Sequence, residues 1–251
     1  MMTSGRTGKL SLGWCLILAV LPLVTALAAL GIGRIWIPPR DVFTAIEEVF
    51  TGANTLPVLT RMTLWKLRLP RILLAALVGA GLSTAGCAFQ SLFANPLATP
   101  DTLGVASGAC FGAALGLLLG LGLMGVQLAA LVMGGVAVAL TFLAGSGKNR
   151  GLSTIVLSGI MMGSLFSALV SLVKFAADEE SQLPAITYWL MGSLSSAAYG
   201  TLALGAPPIL LGIAILFLLR WRMNLLPLSE DEARSSGVNI RQLRAVTVVC
   251  A

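Results

Sequence analysis

Long apolar stretches dominate the hydrophobic pattern of this chain. A helix that crosses a bilayer needs about 20 predominantly apolar residues. Six stretches reach that length, at residues 10–33, 71–93, 104–123, 126–144, 152–175 and 202–221. A seventh begins near Ala245 and runs to Ala251. We therefore predict an all-α, polytopic transmembrane helical bundle with about seven spans begun, in a single membrane domain over residues 1–251 that is truncated at its C-terminus.

The first stretch also has features of a secretory signal, because Arg6 and Lys9 precede it and Ala26-Leu27-Ala28 resembles a cleavage site. Its apolar run is longer than a typical signal core and continues past that site without a polar segment. A retained helix is therefore the favoured interpretation.

Composition agrees with a membrane protein. The chain is 57% hydrophobic and 10% charged, whereas soluble domains carry about 25% charged residues. It has no His, which excludes catalysis or zinc binding by imidazole. The four Cys lie far apart in apolar stretches, so neither a metal site nor a cofactor is predicted. The net charge of +6 comes from basic residues in short loops, which does not indicate nucleic-acid binding.

The distribution of ionisable groups bears on the energy source. All ten acidic residues fall outside the apolar stretches, whereas a proton-coupled transporter normally keeps an ionisable group at membrane depth. The segment Gly145-Ser146-Gly147-Lys148-Asn149 imitates a phosphate loop but has Asn where Ser or Thr is needed. We therefore expect the energy source to lie on another subunit.

The basic residues give only a weak indication of orientation. With the N-terminus in the cytoplasm, nine basic residues lie inside and seven outside, a difference too small to decide by the positive-inside rule. Six of the outer seven fall in one predicted external loop: Arg34, Arg40, Arg61, Lys66, Arg68 and Arg71. This excess suggests that some of them have a function there.

Small residues recur at every fourth position in two predicted spans. They are Gly108, Gly112, Gly116 and Gly120 in the third span and Gly159, Gly163, Ser167 and Ser171 in the fifth. Close helix packing is the favoured interpretation for the third span. For the fifth span, packing and a path-lining role for the serine hydroxyls are equally open.

Three segments carry a resemblance to a known family. The first contains Arg68-Leu69-Pro70-Arg71, Asn95-Pro96-Leu97-Ala98 and Ser107-Gly108-Ala109. The second is Tyr188-Trp189-Leu190-Met191-Gly192-Ser193, and the third runs over residues 228–238. In this order and at this spacing, they resemble the iron-siderophore and cobalamin permease family of ABC importers.

The resemblance implies a transport subunit that is not itself an enzyme, with ten helices in a full-length member. A second permease subunit, identical or homologous, would enclose the pathway with it. Two cytoplasmic ATPase subunits and a periplasmic or lipid-anchored binding protein would complete the importer. The implied substrate is an iron-siderophore or a similar metal chelate, and the implied location is the lipid of the bacterial inner membrane, with the N-terminus cytoplasmic.

Pro70 indicates the start of a helix and an extended Leu69, so that Arg68 and Arg71 flank the entry of the second span. The resemblance implies that both arginines bind acidic side chains of the binding protein, and paired guanidiniums suit carboxylates. Snorkelling of both side chains toward lipid headgroups is the alternative.

The resemblance also implies that Asn95 and Leu97 form part of a cytoplasmic gate, with Thr154 as a further gate residue. From the residues alone, Asn95-Pro96 predicts an ordinary end to the second span. Thr154 is equally compatible with a helix cap.

Residues 228–238 predict a short cytoplasmic helix. Ser229 and Glu232 form a capping box, Glu230 and Asp231 add negative charge at the helix N-terminus, and Gly237 is a C-terminal stop. The resemblance implies that this segment, which includes Ala233 and Arg234, is a coupling helix that fits the ATPase. A solvated connector is the alternative.

Two other functions stay open at this point: a proton-coupled secondary transporter, and a membrane assembly subunit that transports nothing. The transported chelate and the identity of the second permease subunit cannot be read from the residues.

Overall fold

The computed structural model describes residues 3–4, 9–145, 152–227 and 237–251. Two short strands, β1 (Thr3–Ser4) and β2 (Lys9–Leu10), pair antiparallel. The rest of the regular structure in the described residues is helical. The helices are α1 (Leu12–Gly31), α2 (Pro39–Thr51), α3 (Val58–Met62), a π-helix (Thr63–Arg68), α4 (Leu69–Phe93), a 3-10 helix (Pro100–Leu103), α5 (Val105–Leu118), α6 (Leu123–Gly145), α7 (Leu152–Ala176), α8 (Gln182–Met191), α9 (Tyr199–Met223) and α10 (Ile240–Cys250).

Within the described residues, five helical segments are long and apolar enough to cross a membrane: Leu12–Gly31, Val58–Phe93, Leu123–Gly145, Ser153–Ala176 and Tyr199–Met223. The predicted third span is shorter than expected, because α5 ends at Leu118 and Gly120 adopts a left-handed φ of 66°. The α10 helix lies at the predicted start of the seventh span. The all-α transmembrane architecture is confirmed, and the count of seven is approximate.

The prediction for Leu69 and Pro70 is wrong. Leu69 is helical, with φ −59° and ψ −49°, and one continuous helical segment runs over Val58–Phe93. A proline ring inside an α-helix clashes with the carbonyl four residues earlier. Here the preceding turn is π-helical, and the Leu69 N–H donates to the Leu64 carbonyl five residues earlier. This wider turn lets the helix pass Pro70 without ending.

The chain divides into two compact units. The first contains Met1–Gly79 and Leu194–Ile209. Its core consists of Ile37, Val42, Ala45 and Leu64, with Leu30, Ile46, Leu56 and Trp65 packed around them. The amphipathic helix α2 therefore packs its apolar face on the beginning of the long helical segment.

The second unit contains Ala80–Ser193 and Leu210–Ala251. Its larger core surrounds Phe89, Leu92 and Leu103. Helices α5 and α6 pack backbone to backbone, because a Cβ on Gly112 would lie 2.2 Å from the Ala129 carbonyl oxygen and one on Gly108 would lie 2.7 Å from that of Met133. The packing interpretation of the third predicted span is thus confirmed for these glycines.

Candidate functional site

Arg68 lies at the end of the π-helix and is half-buried. Its guanidinium donates to the carbonyl oxygens of Leu30 and Ile35, on either side of the turn that follows α1. Gly33 lies under this contact, since a Cβ there would be 2.9 Å from a terminal nitrogen of Arg68. Arg68 therefore holds the connection between α1 and α2 against the start of α4.

Arg71 lies one turn further along and is exposed. Its Nε donates to the Leu194 carbonyl and its Nη2 to the Ser195 carbonyl, each at 2.9 Å. These bonds attach the segment before α9 to the start of α4. The Nη1 group is not part of them, so one edge of the guanidinium is still directed away from the two carbonyls.

Tyr199 was missed by the sequence reasoning. Its hydroxyl donates to the Trp65 carbonyl at 2.7 Å, close to the Arg71 contact on the same two segments. Pro70 is a sequence signal that some carbonyl nearby lacks a backbone donor, but nothing in the sequence identifies the residue that supplies one.

Two of the three predicted gate residues, Asn95 and Leu97, lie in the loop of residues 94–104, which begins with a tight helix end. Ala94 has a left-handed φ of 48°, and the Asn95 N–H donates to the Gln90 carbonyl at 3.2 Å. This pattern is a Schellman motif, with Ala at the position that usually carries Gly. The Asn95 side chain then accepts a hydrogen bond from the Leu97 N–H at 2.9 Å. Asn95 thus shapes the turn that carries Leu97.

The far side of the 94–104 loop is fixed to α6 and α7. Leu103 is fully buried, and its carbonyl accepts a hydrogen bond from the buried Thr141 hydroxyl at 3.0 Å. Gly104 has a left-handed φ of 73°, and a Cβ there would meet the backbone of α7 at 3.1 Å. The base of the loop is therefore held firmly. Its tip is exposed, since Leu97 is 83% exposed.

A cleft of about 320 Å³ separates the tip of this loop from α7. Asn95 and Leu97 line it on one side, and Val156 and Ile160 line it on the other. Thr154 is half-buried near the start of α7, two residues before Val156, and is not among the lining residues. The structure thus brings Asn95 and Leu97 to one cleft and leaves Thr154 outside it.

The serines of the fifth predicted span bond within their own helix. Ser167 donates to the Gly163 carbonyl at 2.8 Å, and Ser171 donates to the Ser167 carbonyl at 3.1 Å. Gly159 and Gly163 instead lie against the backbone of residues 102–104. The glycine half of the strip is therefore a packing surface, and the exposed serine half stays open to either interpretation.

The predicted coupling helix lies mostly outside the described residues, which resume at Gly237. Ser229, Glu230, Asp231, Glu232, Ala233 and Arg234 fall in the part that is not described. Gly237 has a left-handed φ of 72°, the conformation that a helix-ending glycine adopts. Asn239 follows it and accepts a hydrogen bond from the Gln242 N–H at 3.2 Å, which caps the start of α10.

One buried carboxylate lies near the predicted docking arginines in sequence. Glu48 in α2 is 7% exposed, and its Oε1 accepts hydrogen bonds from the Leu56 N–H and the Thr55 hydroxyl, each at 2.8 Å, and from the Thr55 N–H. These bonds, the one from Leu56 foremost, lower the pKa of Glu48 below its ordinary value. Glu48 therefore holds the turn after α2 in its ionised form.

The chain is similar to known proteins over nearly its whole length. Residues 20–251 match the model of the FecCD transport family. The chain is 38% identical to the molybdate import system permease protein of Haemophilus influenzae, over 92% of this chain and 68% of that protein. It is 35% identical to an iron chelatin transport system permease protein of Helicobacter pylori, over 94% of this chain and 70% of that protein.

A solved structure shares the fold. It is described as an inward-facing conformation of a metal-chelate type ABC transporter, and it matches with a TM-score of 0.81 and 35% identity. The match covers 95% of this chain and 72% of the other.

Proposed function

Because this chain belongs to the FecCD transport family and is the permease subunit of an ABC importer, we propose that it carries an iron-siderophore or a similar metal chelate across the bacterial inner membrane. The observation that carries this substrate class is the structural match to a metal-chelate type transporter over 95% of the chain. ATP hydrolysis lies on a separate subunit, so this chain is not an enzyme.

Molybdate is the second candidate substrate, since the chain is 38% identical to a molybdate permease. The two substrates differ greatly in size and chemistry, because molybdate is a small oxyanion and a ferric siderophore is a large organic complex. One pathway is therefore not expected to serve both at comparable rates.

Uptake by whole cells separates the candidates. We expect cells that lack this chain to lose accumulation of a labelled ferric siderophore and to keep that of molybdate and cobalamin. Restoring the chain from a plasmid should restore iron accumulation alone. Loss of molybdate or cobalamin accumulation, with iron accumulation unchanged, would overturn the proposed substrate class.

The importer would contain two permease subunits, two ATPases and one binding protein outside the membrane. With the N-terminus of this chain in the cytoplasm, residues 34–71 and 176–198 lie outside and the 94–104 loop lies inside.

Arg68 and Arg71 would dock the binding protein in this arrangement. Arg71 is exposed, and the edge of its guanidinium that carries Nη1 is not used by Leu194 and Ser195. A carboxylate of the partner could bind along that edge while both internal bonds persist. Arg68, with its guanidinium held by two internal carbonyls, would contribute mainly charge.

Asn95 and Leu97 would form the cytoplasmic gate with the same residues of a second permease subunit. The exposed apolar side chain of Leu97 at the tip of a firmly held loop supports this role. Thr154 would act from the start of α7 rather than from the cleft itself. Residues 228–238 would be the coupling helix, with Gly237 ending it.

A further inference from the structure

The carbonyl group of Trp65 has an unusual position in the long helical segment. In the π-helical register the Leu69 N–H donates to the Leu64 carbonyl. In an α-helix the same N–H would donate to the Trp65 carbonyl instead. The next donor in the π-helical register is residue 70, five residues after Trp65. Residue 70 is a proline, which has no N–H.

A backbone carbonyl without a donor is costly where water cannot replace it. Pro70 is fully buried, and Leu64 is 2% exposed, so this turn is packed on the core of the first unit. The Tyr199 hydroxyl donates to the Trp65 carbonyl at 2.7 Å. A side chain 134 positions along the chain thus supplies the hydrogen bond that Pro70 cannot.

The same two segments meet a second time through Arg71. Its guanidinium binds the Leu194 and Ser195 carbonyls, while Tyr199 of the other segment binds Trp65. Each segment therefore donates one side chain to the backbone of the other. On the first segment the two contacts involve Trp65 and Arg71, which are six residues apart. On the second they involve Tyr199 and the Leu194 and Ser195 carbonyls, five and four residues before it. Together the two contacts fix both the position and the direction of the turn.

We infer that Tyr199 is a positioning residue that substitutes for the missing amide of residue 70 and so fixes the π-helical turn that ends at Arg68, just before Arg71. A neutral hydroxyl thus helps to set the geometry of the two arginines, beside the contacts that their own guanidiniums make. The consequence for docking of the binding protein rests on the proposed function of those arginines. The positioning role of Tyr199 in the turn does not depend on that proposal.

The test uses the complete importer reconstituted in lipid nanodiscs, with hydrogen exchange measured over residues 63–71. Tyr199→Phe keeps the ring and removes the hydroxyl, and it should speed exchange in this segment on the order of tenfold, as expected for loss of one hydrogen bond to a backbone carbonyl. Tyr188→Phe, which removes the hydroxyl of another tyrosine, should leave this segment unchanged.

A second substitution tests the mechanism itself. Pro70→Ala gives residue 70 an N–H that can reach the Trp65 carbonyl. In that background, Tyr199→Phe should have little further effect on exchange. If Tyr199→Phe leaves exchange unchanged in the natural background, or accelerates it equally with and without Pro70→Ala, the inference is overturned.

The docking consequence has a separate readout. Tyr199→Phe should raise the concentration of binding protein that half-maximally stimulates ATP hydrolysis by several-fold, with the maximal rate unchanged. A general loss of folding would lower the maximal rate instead and would contradict the inference. If exchange responds as expected and the half-maximal concentration does not move, the positioning role stands and the docking role of the arginines fails.

Discussion

A Cβ atom on Gly159 would lie 2.1 Å from the carbonyl oxygen of Thr102. Helix α7 and the 94–104 loop therefore pack backbone against backbone at this point, with no side chain between them. The position of the loop follows that of α7 directly, because neither element can move toward the other without a clash. A displacement of α7 toward the loop would therefore push on the base of the loop that carries Asn95 and Leu97.

Gly159→Ala should force these two elements apart. Overpacking of this kind costs about 1–3 kcal/mol, so we expect a lower melting temperature of the detergent-solubilised protein and a loss of transport. Gly135→Ala is the matched control, since a Cβ at Gly135 meets nothing within 4 Å. Equal melting temperatures and transport rates for the two variants would contradict the backbone contact.

Only part of the packing around Gly159 could be predicted from the sequence. A small residue at every fourth position predicts one flat face on a helix, which is why the third predicted span was interpreted correctly. The four-residue spacing does not indicate which element packs against that face. For Gly159 the partner is a loop carbonyl at Thr102, and such a contact leaves no hydrophobic pattern.

In an importer assembled from two copies of this chain, the gate proposal predicts a contact between the two Leu97 side chains. In a variant with Cys15, Cys87, Cys110 and Cys250 replaced by Ala, Leu97→Cys should form a disulfide between subunits when the gate is closed. Transport should stop on oxidation and recover on reduction. The measurement is the dimer band on a non-reducing gel, together with the uptake rate.

Ala98→Cys is the control for the gate experiment, because Ala98 is 7% exposed and Leu97 is 83% exposed. It should crosslink poorly under the same conditions. A Leu97→Cys protein that stays monomeric on the gel in every state of the ATPase would remove Leu97 from the gate.

The docking proposal predicts different results for two substitutions of Arg71. Arg71→Gln removes the charge, so binding-protein association should slow several-fold and depend less on salt, because charges at an interface rim mainly speed encounter. Arg71→Lys keeps the charge but loses the two-point contact with Leu194 and Ser195. It should keep most of the salt dependence.

Association rates at two salt concentrations separate the possibilities for Arg71. Equal slowing by Lys and Gln would mean that only the internal carbonyl contacts matter. Unchanged rates in both variants would leave lipid headgroups as the partner, as the snorkelling alternative requires.

The sequence located Arg68 and Arg71 but gave the wrong local structure around them. Proline after Leu69 favours an extended residue and a helix start, yet Leu69 is helical. The π-helical turn relieves the separate clash of the Pro70 ring with the carbonyl of the preceding turn, so the helix continues. A change of register over six residues alters no hydrophobic period that could be read in advance, so the contacts of Arg71 and Tyr199 could not be predicted either.

Glu48 gives the first unit a dependence on acid pH. Its folded-state pKa is lowered from 4.5 by hydrogen bonds, that from Leu56 foremost. Its stabilising contribution is therefore fully present above the unfolded-state pKa and is lost as the pH falls through the lowered folded-state pKa. Hydrogen-exchange protection of Thr55 and Leu56 should therefore decrease as the pH falls below the ordinary value of 4.5.

Glu48→Gln should abolish this decrease, because the amide does not titrate and forms weaker hydrogen bonds at every pH. Glu47→Gln, at an exposed position of the same helix, should behave like the natural protein. A pH profile of Thr55 and Leu56 that is the same in Glu48→Gln as in the natural protein would show that another group titrates there.

The most direct test of the proposed function is the initial uptake rate of a labelled ferric siderophore by proteoliposomes that contain this permease, its ATPases and its binding protein. We expect uptake that requires internal ATP, is unaffected by a proton uncoupler, and persists in excess molybdate. Uptake that an uncoupler abolishes, or that excess molybdate suppresses, would contradict the account.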